Sequence, residues 1–81
     1  MIITMRKTKV FKYIGKFEVL SLGEKRIVSC ILNEKSNNAI AIEFAIKQNT
    51  VSTFRKKIYN KLGVSTSIGL YKLALKEGII K

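Results

Sequence analysis

The chain has no proline, histidine, tryptophan or aspartate, and a single cysteine. Each absence excludes something. Without proline, no helix is forced to kink and no proline-rich linker divides the chain. Without histidine and aspartate, the usual general bases and most metal-ligand sets are missing. The remaining acids, Glu24, Glu34 and Glu43 among them, are scattered with no paired-carboxylate spacing, and there is no glycine-rich phosphate loop. The expectation is therefore not an enzyme, and no cofactor or metal. One cysteine cannot form an intrachain disulfide, which suits a reducing compartment and a cytoplasmic protein. Cys30 lies in the apolar run Ile27, Val28, Ile31, Leu32, so it reads as a core thiol. Met1-Ile2-Ile3 is too short for a signal peptide or a membrane span, and Arg6 and Lys7 follow it closely.

What is abundant is positive charge. The 81 residues carry 16 Lys and Arg against 5 Glu, a formal charge of +11. Such a balance on a small domain points to a polyanionic partner. The charge is uneven: five basic residues and one Glu in residues 1–20, three of each in 21–45, eight and one in 46–81.

The stretch that concentrates it is Gln48–Leu62. Val51, Phe54, Ile58 and Leu62 recur at steps of three and four and form one apolar stripe of a helix. Asn49, Ser52, Thr53, Lys56 and Asn60 share another face, polar and free of acids. Arg55, Lys56, Lys57 and Lys61 cluster towards its end, and Gly63 supplies the left-handed stop. That face reads either as a solvated surface or as one that lies in a nucleic-acid groove.

Around it the chain reads as three more helices. Ser21 with Glu24 three residues on is a capping box, opening a helix that buries Ile27, Val28, Ile31 and Leu32. Ser36 caps a second helix, roughly Asn37 to Phe44, with Ile40, Ala41 and Phe44 inward. Ala45-Ile46-Lys47 is a tight turn into the basic helix, so these two helices match a helix-turn-helix unit. Ser65-Thr66-Ser67 caps a fourth helix that ends near Glu77-Gly78. Leu70, Leu73 and Ala74 make its core stripe. Ile68, Tyr71 and Leu75, edged by Lys72, make a second apolar stripe, expected to be a two-fold dimer interface unless the N-terminal arm covers it. Residues 1–19 fit both alternation and a weak helical stripe. They are expected as a basic extended or short-strand arm, bent near Gly15, ahead of a domain at 20–81; the alternative is a linker or a flap covering the core.

Several separated positions then agree with one family. Leu20-Ser21-x-x-Glu24, Ser36-Asn37-x-x-Ile40-Ala41-x-x-Phe44-x-Ile46-x-x-x-Thr50-Val51, Ile58-x-x-Lys61-Leu62-Gly63-Val64 and Leu70-x-x-x-Ala74-x-x-x-Gly78-Ile79-Ile80 resemble the LuxR/FixJ/GerE-type DNA-binding domain without a gap. The resemblance implies an all-α four-helix bundle with a central helix-turn-helix, the third helix in the DNA major groove and the fourth forming a homodimer. It makes Asn49, Ser52, Thr53 and Lys56 the base-facing residues and Thr50 a phosphate contact. Some positions depart from the family: Ser52 where lysine is usual, Phe54 for His or Tyr, Glu34 for a Gly between the first two helices, Arg26 for an acid, and Lys47 for a capping Ser.

The expected chemistry follows. Ser36, Asn37, Gln48 and Thr50, beside two helix N-termini, are donors to phosphate oxygens. Lys47, Arg55, Lys57 and Lys61 add the sequence-independent electrostatic attraction. Asn49 suits adenine, Lys56 guanine and the Thr53 methyl a thymine methyl. The partner expected is double-stranded DNA, bound by a bacterial transcription regulator. The alternative is a protein-interaction module whose helix-turn-helix docks on another regulator or on RNA polymerase. An RNA binder is less favoured, because Phe44 and Phe54 read as buried and Tyr13, Tyr59 and Tyr71 are scattered.

Overall fold

The structure, a computed structural model, describes residues 11–80. The basic residues of the arm at positions 6, 7 and 9 lie outside them. Four helices follow a single 3-10 turn: α1 (Leu22–Leu32), α2 (Asn37–Phe44), α3 (Gln48–Leu62) and α4 (Ser67–Lys76). No strand occurs among the described residues, and the fold is the all-α bundle expected.

The helix starts are set by side chains close in sequence. Ser21 accepts from the Glu24 N–H at 3.2 Å while Glu24 accepts from the Ser21 N–H at 2.8 Å, a complete capping box. Ser36 accepts from the Ala39 N–H, and Thr66 from the Gly69 N–H. Lys47 precedes α3 without a side-chain cap, as its replacement of serine implies. Gly63 ends α3 at φ 72. Two ends are closed by non-glycine residues in the same left-handed region, Glu34 at φ 63 after α1 and Ala45 at φ 55 after α2. That conformation brings a Cβ close to the following carbonyl oxygen. Backbone bonds back into each helix close both turns, Lys35 N–H to the Cys30 carbonyl at 3.0 Å and Ile46 N–H to the Ala41 carbonyl at 2.9 Å.

The core joins the inner stripes of all four helices. Ile27, Val28 and Ile31 of α1, Ile40 and Ala41 of α2, Val51, Ile58 and Leu62 of α3, and Leu70 and Ala74 of α4 are buried. Phe44 and Phe54 differ from expectation: both are half-buried. Phe44 is the last residue of α2 and sits at the rim, with the Arg26 guanidinium 4.9 Å from its ring centre. Val51, Ile58 and Leu62 occupy the middle of the α3 stripe and leave Phe54 on its edge. Cys30 is buried as expected; burial pushes its thiol up from its ordinary pKa, and Sγ donates to Glu43 Oε2 at 3.8 Å.

The segment before α1 also differs from the expected arm. Residues 11–14 have no regular hydrogen bonding, and Gly15–Val19 is a 3-10 turn. Gly15 has φ 61, and a Cβ there would run into Glu77 Oε1. The same oxygen accepts from the Lys16 N–H. This bend drops Phe17 into the core, where it is 0% exposed. The alternation in residues 9–17 suggested a strand, but one apolar ring finding the core beside α3 outweighs it.

Candidate nucleic-acid interface

The tight turn at Ala45-Ile46-Lys47 sets α2 and α3 against each other, so their N-termini come together. Two side-chain hydrogen bonds tie them: Asn37 Nδ2 to Ser52 Oγ at 3.5 Å and Gln48 Nε2 to Asn38 Oδ1 at 3.2 Å. The first N–H groups of each helix have no partner within their own helix and carry the positive end of its dipole. Sequence reasoning missed Asn38. The signal was there, since an amide at the second position of α2 faces an amide at the first position of α3 once the turn is this short.

Along the outer face of α3, Asn49, Thr53, Lys56, Lys57 and Asn60 are exposed, while Thr50 and Ser52 are half-buried. Thr53 Oγ1 donates to the Asn49 carbonyl at 3.0 Å. The structure therefore gathers Ser36, Asn37, Lys47, Gln48, Asn49, Thr50, Ser52, Thr53, Lys56 and Lys57 around one end and one face of α3. No acid is interposed on that face. A cleft of about 570 Å³ borders it, floored by Ala41, Ile42, Ala45 and Ile46 and rimmed by Lys47 and Asn49.

Two cations grouped with them behave differently. Arg55 is half-buried and turned to Tyr59, whose hydroxyl accepts from Nη1 at 3.0 Å. Lys61 is held by Glu24, Nζ to Oε1 at 2.8 Å, with the lysine side chain 40% exposed and the glutamate 5%. One oxygen of Glu24 thus closes the α1 cap and anchors the end of α3. The sequence contained both residues but gave no sign of the pairing, which joins positions 37 residues apart.

The Lys61 ammonium, followed by the Ser21 N–H, holds the Glu24 carboxyl below its ordinary pKa, against the opposing effect of burial. A carboxylate depressed on folding stabilises the fold above its unfolded pKa. That stability is lost as pH falls through the folded pKa. Glu24→Gln, which can still close the cap, is expected to lower stability by about 1 kcal/mol at pH 7, the difference between a charged and a neutral hydrogen bond. The gap between parent and variant should close as pH falls below the ordinary glutamate pKa of about 4.3. Thermal midpoints from pH 7 down to pH 3 check this, and a gap that widens in acid would refute it.

On α4, Ile68 and Leu75 are 67% and 51% exposed, and Lys72 is exposed beside them. Tyr71 does not join that stripe as expected. It is half-buried, and its hydroxyl donates to the Ile31 carbonyl at 2.8 Å. Its length lets the ring reach the α1 end, where the Ile31 carbonyl, already accepting from the Glu34 N–H at 2.9 Å, takes the hydroxyl on its second lone pair.

Residues 18–74 match the GerE family, the luxR family of bacterial regulatory proteins. The chain belongs to the luxR family. Among its relatives is the transcriptional regulatory protein MctR of Rhizobium johnstonii, 39% identical over 61 residues, which cover 75% of this chain and 28% of MctR. The DNA-binding transcriptional activator EvgA of Escherichia coli is 34% identical over 64 residues, covering 79% of this chain and 31% of EvgA. The transcriptional regulatory protein FixJ of Azorhizobium caulinodans is 28% identical over 60 residues, covering 74% of this chain and 28% of FixJ. The luxR-family chain thus spans under a third of the length of these relatives. No solved structure matches it. Among its described residues, no group of side chains could hold a metal ion, and no helix is long and apolar enough to cross a membrane.

Proposed function

We propose that the chain binds duplex DNA sequence-specifically, as the DNA-binding part of a bacterial transcription regulator. The observation that carries this reading is the acid-free outer face of α3 set beside two helix N-termini. Lys47, Lys56 and Lys57 stand on that face with no carboxylate between them. Membership of the luxR family supports it, as does EvgA, a relative whose name is that of a DNA-binding activator. In this reading α3 enters the major groove. Asn49, Ser52, Thr53 and Lys56 face base edges. Ser36, Asn37, Lys47, Gln48, Thr50 and Lys57 meet the phosphates, and Lys61 reaches one with the donors that Glu24 leaves over. A protein acting on a bacterial chromosome works in the cytoplasm.

Affinity is then expected to fall steeply with salt, the slope of log K against log salt being about −0.9 for each phosphate neutralised. Gel shifts of random and selected duplexes over a salt series test it. No shift of any duplex at low salt would sink the DNA reading and favour a protein partner for the same face.

A dimer through α4 completes the proposal. Ile68, Lys72 and Leu75 form a self-complementary stripe, smaller than expected because Tyr71 is engaged within the chain. Two copies joined there would set two α3 helices in successive major grooves, about 34 Å apart. Leu75→Glu is expected to keep the helical circular dichroism and binding to one half-site but lose cooperative binding to a paired site. Unchanged cooperativity would remove α4 from the dimer.

A further inference from the structure

Arg55 leaves a question that the DNA reading does not absorb. Successive helix residues are turned about 100° from each other, so Arg55 points to a flank of α3 away from Lys56. There it lines a cleft of about 440 Å³ with Ile31, Glu34, Lys35, Ser67 and Tyr71. Its Nη1 donates to Tyr59, but its Nε–H is buried with no acceptor. The two ion pairs among the described residues join Lys35 to Glu43 and Lys61 to Glu24, so neither neutralises Arg55. A buried donor of a charged group left without an acceptor is costly. Nε itself is closed to solvent, so an arriving acceptor first meets the outer part of the guanidinium fork, and the charge there is what it neutralises.

The surroundings narrow the choice of acceptor. Ile31 and Tyr71 give the cleft an apolar wall. Tyr71 already donates its proton to the Ile31 carbonyl. Burial raises its pKa to begin with, Glu34 adds to the rise and Arg55 opposes it, so both charges are felt at the same cleft. Glu34 is exposed and is in neither ion pair.

We propose that this cleft binds a glutamate side chain of an acidic peptide segment carried by a partner protein, with Arg55 as the charged anchor. The guanidinium fork matches a carboxylate. The apolar wall suits the methylene stem. The cleft is larger than one carboxylate, which favours a peptide over a free small anion, and the formal charge of +11 favours an acidic one. The site is separate from the outer face of α3 and does not depend on what that face binds.

The test is a titration of the isotopically labelled full chain with N-acetyl hexaglutamate amide, followed by backbone N–H and arginine Nε–H resonances. Saturable shifts are expected at Ile31, Ser67, Tyr71 and the Arg55 Nε–H, with none from the corresponding hexaglutamine. Arg55→Gln should abolish the cleft shifts while keeping the helical circular dichroism. Glu34→Gln, a change in an exposed turn that leaves Arg55 untouched, should tighten binding about twofold by removing a like charge. Shifts confined to Asn49, Thr53 and Lys56 would overturn the proposal. So would cleft shifts that survive Arg55→Gln, or no gain from Glu34→Gln. Shifts of the Arg55 Nε–H by duplex DNA alone would make the cleft part of a nucleic-acid surface and overturn it equally.

Discussion

Phe17→Ala is expected to destabilise the domain by about 3–5 kcal/mol, the range for deleting a buried aromatic ring from a core. Phe17 is 0% exposed, and the ring of Tyr13 lies 6.0 Å from it. The turn that carries it is tied by the Lys16 N–H to Glu77 Oε1 and closed by backbone bonds from Phe17 to Ile14 and from Leu20 to Phe17, so the backbone cannot easily collapse into the space an alanine would leave. Domains of this kind are stable by about 5–15 kcal/mol in all, and one substitution would remove a large share. Leu22→Ala is the control. Leu22 is 77% exposed, and its loss should change stability by no more than about 0.5 kcal/mol. Urea unfolding followed by circular dichroism measures both. A loss at Phe17 below about 1 kcal/mol would place residues 11–19 outside the folding unit, as an appended arm rather than part of its core.

The other large effect concerns the outer face of α3. Asn49→Ala and Lys56→Ala are each expected to cost roughly 1–3 kcal/mol on the preferred DNA site, the value of one good base contact, and little on random duplex. Lys57→Ala should weaken both duplexes alike and flatten the salt slope by about one unit. Both classes of residue are exposed on one helix, so neither substitution should unfold the chain. Lys61→Ala should separate from Lys57→Ala. It also takes away the partner of a carboxylate that is 5% exposed, so it should lower the thermal midpoint as well as the affinity. Equal losses on selected and random DNA from Asn49, Lys56 and Lys57 would mean that the reading face has been misplaced.

The sequence by itself determined the helices and where they begin. Capping is local: Ser21 with Glu24, Ser36 and Thr66 each bond to an N–H three residues on, and no distant residue has to be known. The stripes are equally local, because the helical repeat alone puts Val51, Ile58 and Leu62 on one face. The short turn between α2 and α3 follows from the same reading, as does the acid-free face of α3. Only the tertiary structure decided what happens where elements meet. Phe17 reads like any arm residue until Gly15 bends the chain over Glu77. Glu24 reads as a cap until α3 delivers Lys61 to the same oxygen. Tyr71 and Arg55 read as surface residues until α1 offers a carbonyl to one and Tyr59 a hydroxyl to the other. Phe44, which packs on the core from its rim, and Phe54 are half-buried rather than buried for the same reason. Periodicity gives the direction in which a side chain leaves its own helix, but its burial and its partner depend on chain far away in sequence.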